Sequence, residues 1–222
     1  MRRLSILISV LALVALNVAF VPVGVAAQAT PEAGKERRVP AEDCQVQPRS
    51  SDELFALLGL TEGSEAATPA PRTPVPAPPW ITADKEMAAA AEETVHEWLA
   101  CINADDNLRI AALMTDSALT RFFGTGTADQ IEQARATLAG TPQPRPVKER
   151  AQLVTVTDVA RLDDGRIVAL ADIKEPALRP GGEQTLLLVF TPVGQRLLID
   201  DVIEFSVVPR HAGTPEAGTP QP

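Results

Sequence analysis

Two different spacings of hydrophobic residues divide the chain. From about residue 82 to residue 140, apolar side chains recur every three or four positions, which predicts a series of helices. The longest is predicted to run from Thr82, as its N-cap, to about Asn103. Its buried side is formed by residues that share this spacing: Met87, Ala91, Val95, Trp98 and Ile102. Shorter helices follow, with predicted N-caps at Asp105 or Asp106, at Asp116 or Ser117, and at Thr127.

From Val147 onward the spacing changes to that of β-strands. Four segments are rich in Val, Leu, Ile and Thr, namely Lys148–Leu162, Arg166–Ile173, Gln184–Thr191 and Arg196–Val208. Turn-forming residues such as Asp163-Asp164-Gly165 separate them, which predicts a four-stranded antiparallel meander. Because helices come first and strands afterwards, we expect an α+β domain whose N-terminal helices pack on one face of a curved antiparallel sheet.

The last predicted strand, with the sequence RLLIDDVIEF, carries two adjacent aspartates in an apolar run. Side chains alternate between the two faces of a strand, so Asp200 and Asp201 are expected to point in opposite directions. One face carries Leu197, Ile199, Asp201, Ile203 and Phe205, and the other carries Leu198, Asp200, Val202 and Glu204. The first face is the more apolar, which predicts that Asp201 points inward and Asp200 points to solvent.

A buried carboxylate is costly unless it is paired or hydrogen-bonded, and this leaves two interpretations of Asp201. In the first, an arginine or backbone N–H groups satisfy it and its role is structural. In the second, it lines the mouth of a cavity and serves as a general base. Under either interpretation, Asp201→Asn is expected to perturb stability or ligand retention more than Asp200→Asn.

The strand Gln184–Thr191 is apolar on both faces. Leu186, Leu187, Leu188, Val189 and Phe190 follow one another along it. A monomer rarely exposes a large apolar face on the outer side of a sheet. We therefore expect either a homodimer or a second layer that is supplied by a short helix near Ser50.

Composition divides the chain into further segments. The predicted organisation is a signal peptide at 1–27, a disordered tail at 28–40, a short helical segment at 41–60, a proline-rich linker at 61–79, the main domain at 80–209 and a second disordered tail at 210–222. The tails lack apolar residues for a core, and the run TPAPRTPVPAPP is typical of a stiff spacer. In the short helical segment, Ser50 and Glu53 form a capping box and Gly59 ends the helix.

The first residues have the pattern of a secretory signal peptide. A basic start precedes an apolar run from Leu4 to Phe20, and small residues allow a cut after Ala27 or Ala29. The alternative is an uncleaved anchor, and only in that case do we expect the protein to be held at a membrane. Export predicts a secreted protein or one of the cell envelope. There, Cys44 and Cys101 are predicted to form a disulfide that pins the short helical segment.

The net charge and the sequence motifs limit the functions that we expect for the chain. The formal net charge of −9 and the lack of a basic cluster predict that nucleic acid is not a partner. The cysteines and histidines do not have the spacing of a metal site, and no motif predicts a cofactor. His96 has no partner at a spacing typical of a catalytic triad, and we interpret it as a solvated side chain.

The run ETVHEWLACINADDNLRIAALMTDSALTRFF is followed later by the DDGR turn and by the GQRLLIDDV strand. These runs, and the order of the elements, resemble those of SnoaL-like, nuclear-transport-factor-2-like domains. The resemblance covers roughly Trp80 to Pro209. Leu197 departs from the pattern, because members of the family often carry an aromatic residue there. The resemblance implies a cystatin-like cone, in which a bent sheet wraps around the long helix and an apolar pocket opens at one end.

The resemblance also implies where and how the chain would act. The pocket would be lined by Trp98, Ile199, Asp201, Ile203 and Phe205. Many members of the family are not catalysts, so we expect an exported module that binds a small apolar ligand or a protein partner. One alternative is a small pocket enzyme of the isomerase or hydrolase type with Asp201 as its general base, and another is a structural domain of the cell envelope. The tyrosine-based mechanism of the steroid isomerases does not carry over, because the chain has no tyrosine.

Overall fold

The helices precede a sheet, as the hydrophobic spacing predicts. The computed structural model describes residues 37–61, 71–76, 80–123, 128–176 and 182–205. The helices α1 to α5 are Ser51–Leu58, Lys85–Ala104, Asn107–Ala112, Asp116–Phe123 and Ala128–Leu138, and the strands β1 to β6 are Arg37–Arg38, Ile81–Thr82, Gln152–Arg161, Ile167–Lys174, Glu183–Val193 and Arg196–Phe205. The predicted signal peptide and the C-terminal tail lie outside the described residues. None of the helices in the described ranges is long and apolar enough to cross a membrane.

The strands form one antiparallel sheet of six strands. The predicted meander is confirmed as β3 to β6, in which each strand pairs with the next. Two of its hairpins turn at glycines with positive φ, 86° at Gly165 and 61° at Gly194. The sequence pattern did not predict β1 and β2, which are two residues long and extend the sheet only by pairing with β3. The chain is therefore an α+β protein.

Strand β3 is irregular. β1 pairs with its first two residues and β2 with its last two. Its register with β4 shifts after Leu153 and again after Thr157. At the second shift Asp158 has a φ of 51°, which is uncommon for a residue other than glycine. The middle of β3 is therefore bent, and in the described ranges it has no strand partner on its outer edge.

The long helix α2 begins later than predicted. Its N-cap is Asp84, whose carboxylate accepts a hydrogen bond from the N–H of Met87 at 2.8 Å. Thr82 cannot cap the helix because it belongs to β2 and pairs with β3. The helix ends at Ala104, after which Asp105 takes the left-handed conformation with a φ of 55°. The predicted N-cap Thr82 is therefore wrong by two residues, since strand pairing overrides local capping preference.

The shorter helices also have well-defined N-caps. Asp106 caps α3 through the N–H of Arg109, in agreement with one of the two predicted residues. Thr115, rather than Asp116 or Ser117, accepts the N–H of Ala118 at the start of α4. The predicted N-cap of α5, Thr127, lies outside the described residues.

The buried side of α2 is wider than the predicted stripe. Ala91 and Val95 are buried as predicted, whereas Met87, Trp98 and Ile102 are only partly buried. Other buried residues of α2 are Thr94, Leu99, Ala100, Cys101, Asn103 and Ala104. The helix is covered from several directions, because it contacts β3, β6, α3 and the short 3₁₀ helix Ala41–Asp43. A single stripe does not describe a helix that is enclosed in this way.

Residues 41–60 are attached to the helical layer by the predicted disulfide. Cys44 and Cys101 are bonded, with their Cα atoms 4.6 Å apart. Both cysteines are buried, and the 3₁₀ helix that precedes Cys44 packs against α2. The bond therefore joins this segment covalently to the long helix.

Helix α1 packs into the main core, which lies between the helices and the sheet. It does not pack onto the outer face, which is the side of the sheet away from this core. Ser50 caps it through the N–H of Glu53, as predicted, and Gly59 ends it with a φ of 66°. Leu54, Leu58 and Leu60 are each 0% exposed. Because α1 contacts α4, it does not supply the second layer expected for the sheet.

Residues 37–40 belong to the folded unit, although the sequence assigns them to a disordered tail. Arg37 and Arg38 pair with the start of β3. Val39 is 2% exposed, and its carbonyl accepts a hydrogen bond from the side chain of Asn103 at 2.8 Å. Nonlocal contacts order these residues, and a local composition rule cannot detect such contacts. The rest of that predicted tail lies outside the described part of the chain.

Candidate functional site

Strand β6 contains a β-bulge at Asp200. On the neighbouring strand, Val189 pairs with Asp201 and Phe190 pairs with Ile199, so Asp200 is an extra residue on β6. The extra residue reverses the alternation of side chains beyond it. Asp201 and Ile199 therefore point to opposite faces of the sheet. The assignment of both to one face from the sequence is wrong.

The bulge separates the residues predicted to line one pocket. Ile199 is buried in the main core, and Trp98 packs against that core. Ile203 packs against the outer face of the sheet. The side chain of Phe205 lies outside the described part of the chain. These residues therefore do not line a common pocket, and on the inner face large side chains such as Phe190 are 0% exposed.

Asp200 anchors the connection between α3 and α4 to the bulge. Its carboxylate accepts a hydrogen bond from the Thr115 hydroxyl at 2.7 Å and lies 3.6 Å from the guanidinium of Arg121. Arg121 also donates to the backbone carbonyl of Asp200. The side chain of Asp200 is only 14% exposed, so the prediction that it points to solvent is wrong.

Asp201 is buried on the outer face of the sheet. The residue is 5% exposed, and its carboxylate accepts the N–H of Val202 at 3.0 Å. Its second oxygen lies 3.6 Å from Nε of Arg72. The structure thus gives Asp201 both an arginine and a backbone donor, which are the partners that a structural role requires. Its role as a general base stays a prediction.

The surroundings of Asp201 are apolar. We call the following residues the outer cluster: Ala160, Leu162, Val168, Leu187 and Val189, with Val75, Trp80, Leu170 and Ile203 packed against them. Val168 and Val189 are each 0% exposed. Part of the outer face of the sheet is therefore covered, although α1 does not cover it.

The cover is formed by part of the proline-rich stretch. We call residues 71–76 the strap. Val75 of the strap packs into the outer cluster, and Trp80, just beyond it, donates from Nε1 to the carbonyl of Pro76 at 2.8 Å. The prolines at 71, 74 and 76 restrict the backbone and disfavour helix in the residues before them. This part of the predicted linker is thus held against the sheet through Val75, while the other residues of the strap are exposed.

Arg166 holds the strap by its backbone. Its guanidinium donates to the carbonyl of Thr73 at 3.2 Å and to the carbonyl of Pro74 at 2.8 Å. Neither contact depends on a side chain of the strap. The side chain of Arg166 is only 10% exposed, so its donors point into the space between the sheet and the strap.

Asp164 in turn fixes Arg166. It accepts the Arg166 Nε at 2.8 Å and the Arg166 backbone N–H at 3.1 Å. Burial acts to raise the pKa of Asp164, but the hydrogen bonds and the positive charge of Arg166 outweigh it, so the pKa is lowered. The carboxylate is thereby kept charged, and the turn Asp163-Asp164-Gly165 positions the arginine that holds the strap.

A groove of about 450 Å³ adjoins the strap. It opens between Trp80, the start of α2 and the bent part of β3, and Asp158 is the charged residue of its lining. The ring of Trp80 belongs both to this groove and to the outer cluster. The groove and the strap position therefore form one continuous surface.

The sequence analysis missed the residues that build this surface. Arg72, Arg166 and Trp80 are far apart along the chain, and none lies in a catalytic or binding motif. One signal was present: Val75 stands alone as an apolar residue between prolines, and a tryptophan follows at the end of the same stretch. An apolar side chain and a tryptophan within one proline-rich stretch are more typical of a packed segment than of a spacer.

Other chemistry is limited in the described ranges. No group of three or more His, Cys, Asp or Glu side chains there is arranged to hold a metal ion. His96 lies at the surface with its Nε2 at 3.6 Å from Asp43, and its side chain is 33% exposed. We find no nucleophile next to it among the recorded contacts.

Comparisons with known proteins do not assign the chain to a family. No family model, no curated protein and no solved structure matches it. The resemblance to SnoaL-like domains therefore rests on the order of the elements and on the sequence runs that carry it. The fold that the structure shows is α+β with an antiparallel sheet.

Proposed function

We propose that this chain is an exported, non-enzymatic binding module of the SnoaL-like, nuclear-transport-factor-2-like type, and that its outer sheet face binds an extended polypeptide. One observation carries the proposal. On the outer face, Arg166 already holds a proline-rich segment without helix or strand structure, the strap, through hydrogen bonds to the strap's backbone carbonyls. Such contacts recognise a polypeptide main chain, and they recur in proteins that bind proline-rich or extended peptides.

The structure favours a protein partner over a small apolar ligand. A small-molecule site needs a concave, largely apolar cavity. The inner face of the sheet is instead packed by side chains such as Leu188 and Phe190, each 0% exposed. The groove beside Trp80 continues the strap position, so a longer peptide can extend into it. The strap then acts as an internal occupant of the surface.

Catalysis by Asp201 is the less favoured alternative. A general base must reach the proton that it removes. The carboxylate of Asp201 is buried, and Arg72 of the strap lies against it. A substrate would have to displace the strap before it met the carboxylate.

Export is supported by two features. The N-terminal sequence has the pattern of a secretory signal, and the structure contains the disulfide between Cys44 and Cys101. Disulfides persist in oxidising compartments outside the cytosol. A homodimer stays a prediction, and it would use the part of the outer face that the strap leaves open.

The proposal is tested with an open variant and a free peptide. In the open variant, residues 71–76 of the full chain are replaced by six residues of Gly and Ser. The peptide PAPRTPVPAP, residues 69–78, carries a fluorophore, and its anisotropy reports binding. We expect the peptide to bind the open variant and to bind the native chain much more weakly, because the native strap competes at high effective concentration.

Matched substitutions show where the peptide binds. In the open variant, Arg166→Gln removes the donor to two carbonyls and is expected to weaken binding about tenfold. Arg161→Gln removes an exposed arginine of β3 and is expected to leave binding unchanged. An open variant that keeps its disulfide and its circular dichroism spectrum but does not bind the peptide would refute the proposal.

A further inference from the structure

The buried carboxylate of Asp201 forms an ion pair with Arg72 of the strap, with Nε and Oδ2 3.6 Å apart. Asp201 is 5% exposed and faces Val189 across the sheet. The partners recorded for its carboxylate within the described ranges are Arg72 and the N–H of Val202. Arg166 is committed to Asp164 and to the carbonyls of the strap. The strap therefore brings the cation that neutralises this carboxylate.

We infer that Asp201 is a specificity-determining residue that selects a basic side chain in the bound polypeptide. The inference rests on the proposed function. When a partner replaces the strap, the carboxylate of Asp201 loses Arg72 while it remains among apolar side chains. A partner with a neutral or acidic residue at this position leaves the carboxylate of Asp201 without a cation, which lowers the affinity for that partner. A partner with arginine or lysine restores the pair.

The strap also gives the spacing of the preferred sequence. Arg72 meets Asp201, Pro74 presents its carbonyl to Arg166, and Val75 enters the outer cluster. The preferred ligand is thus a segment in which a basic residue is followed, two positions later, by proline and then by an apolar residue. The backbone contacts to Arg166 and Trp80 fix the register in which these side chains are read.

Peptide variants test the inference on the open variant. The reference peptide PAPRTPVPAP is compared with one that carries norleucine in place of the arginine. A third peptide carries norleucine there and arginine two residues earlier, so that its net charge equals that of the reference. We expect the reference to bind about tenfold more tightly than either, and we expect high salt to reduce the difference.

The substitution Asp201→Asn supplies the second measurement. In the open variant it is expected to remove most of the preference for the reference peptide. If the open variant with Asp201→Asn does not fold, the question is decided by the affinities of the three peptides for the open variant and by the effect of salt on these affinities. Equal affinities for the reference and both norleucine peptides would overturn this inference while the proposed function stands. No binding of any peptide would instead refute the proposed function.

Discussion

The side-chain amide of Asn103 forms hydrogen bonds with both polar backbone groups of Ala151, the carbonyl and the N–H. Nδ2 donates to the carbonyl of Ala151 at 3.0 Å, and Oδ1 accepts its N–H at 2.7 Å. Asn103 is 0% exposed, and the same Nδ2 donates to Val39. The side-chain amide of Asn103 on α2 therefore fixes two other segments, namely Val39 and the residue that precedes β3, Ala151.

We expect Asn103→Leu to lower the free energy of unfolding by roughly 3 kcal/mol. The substitution keeps a similar volume but leaves three buried backbone groups without their partner. Urea unfolding of the native and variant proteins measures the change. The control is Asn107→Leu, because Asn107 donates to the carbonyl of Thr137 at an exposed site. A loss at Asn103 no larger than that at Asn107 would contradict the role assigned to this amide.

Removal of the disulfide is expected to loosen residues 41–60. Replacing both Cys44 and Cys101 by serine should lower the free energy of unfolding by roughly 2–5 kcal/mol. Amide hydrogen exchange should rise first in α1, because the attachment of residues 41–60 to the rest of the fold then depends on packing alone. Unchanged exchange in α1 would show that the core contacts of Leu54 and Leu58 are sufficient.

The bulge reverses the expected order of two aspartate substitutions. Asp200→Asn removes the charge partner of Arg121, whose side chain is 10% exposed, and should cost roughly 2–3 kcal/mol. Asp201→Asn removes the partner of Arg72, whose side chain is 61% exposed and can be solvated, and should cost roughly 1 kcal/mol. Thermal unfolding of both variants measures the difference. A greater loss for Asp201→Asn would contradict the order that the burial of the two arginines predicts.

The strap is expected to become looser in acid through Asp164. The folded-state pKa of Asp164 is lowered, so its contribution to stability is present above the ordinary aspartate pKa of about 3.9 and is lost as the pH falls through the lowered value. The native chain should therefore lose stability relative to Asp164→Asn over this range. Tryptophan fluorescence in a Trp98→Phe background reports the strap, because the remaining ring, that of Trp80, donates to the carbonyl of Pro76.

The control for this titration is Gln45→Ala, which changes an exposed residue that carries no titratable group. Its difference from the native chain should not change with pH in the same range. A constant difference between the native chain and Asp164→Asn would mean that the Asp164–Arg166 pair does not stabilise the fold.

Local patterns predicted much of the fold but little of the candidate surface. The strands β3 to β6 and the Ser50 cap depend on residues that are close in sequence, so local patterns predict them. The disulfide could be predicted because the sequence has one pair of cysteines. The bulge at Asp200 depends on how β5 pairs with β6, and strict alternation cannot show it. The strap depends on Arg166, more than 90 residues away from Thr73 and Pro74. Composition reveals the prolines but not the contacts that hold them.

The irregular middle of β3 has a consequence for the behaviour of the protein at high concentration. A straight, unpaired strand edge is a template on which another chain can add, and such addition leads to fibrous aggregates. Here β1 and β2 occupy the two ends of the edge, while the register shifts and the positive φ of Asp158 bend the part between them. The carboxylate of Asp158 adds a charge at the same place. An incoming strand therefore meets neither a straight row of donors and acceptors nor an uncharged surface at this edge, which makes β3 a poor template for a strand of another molecule.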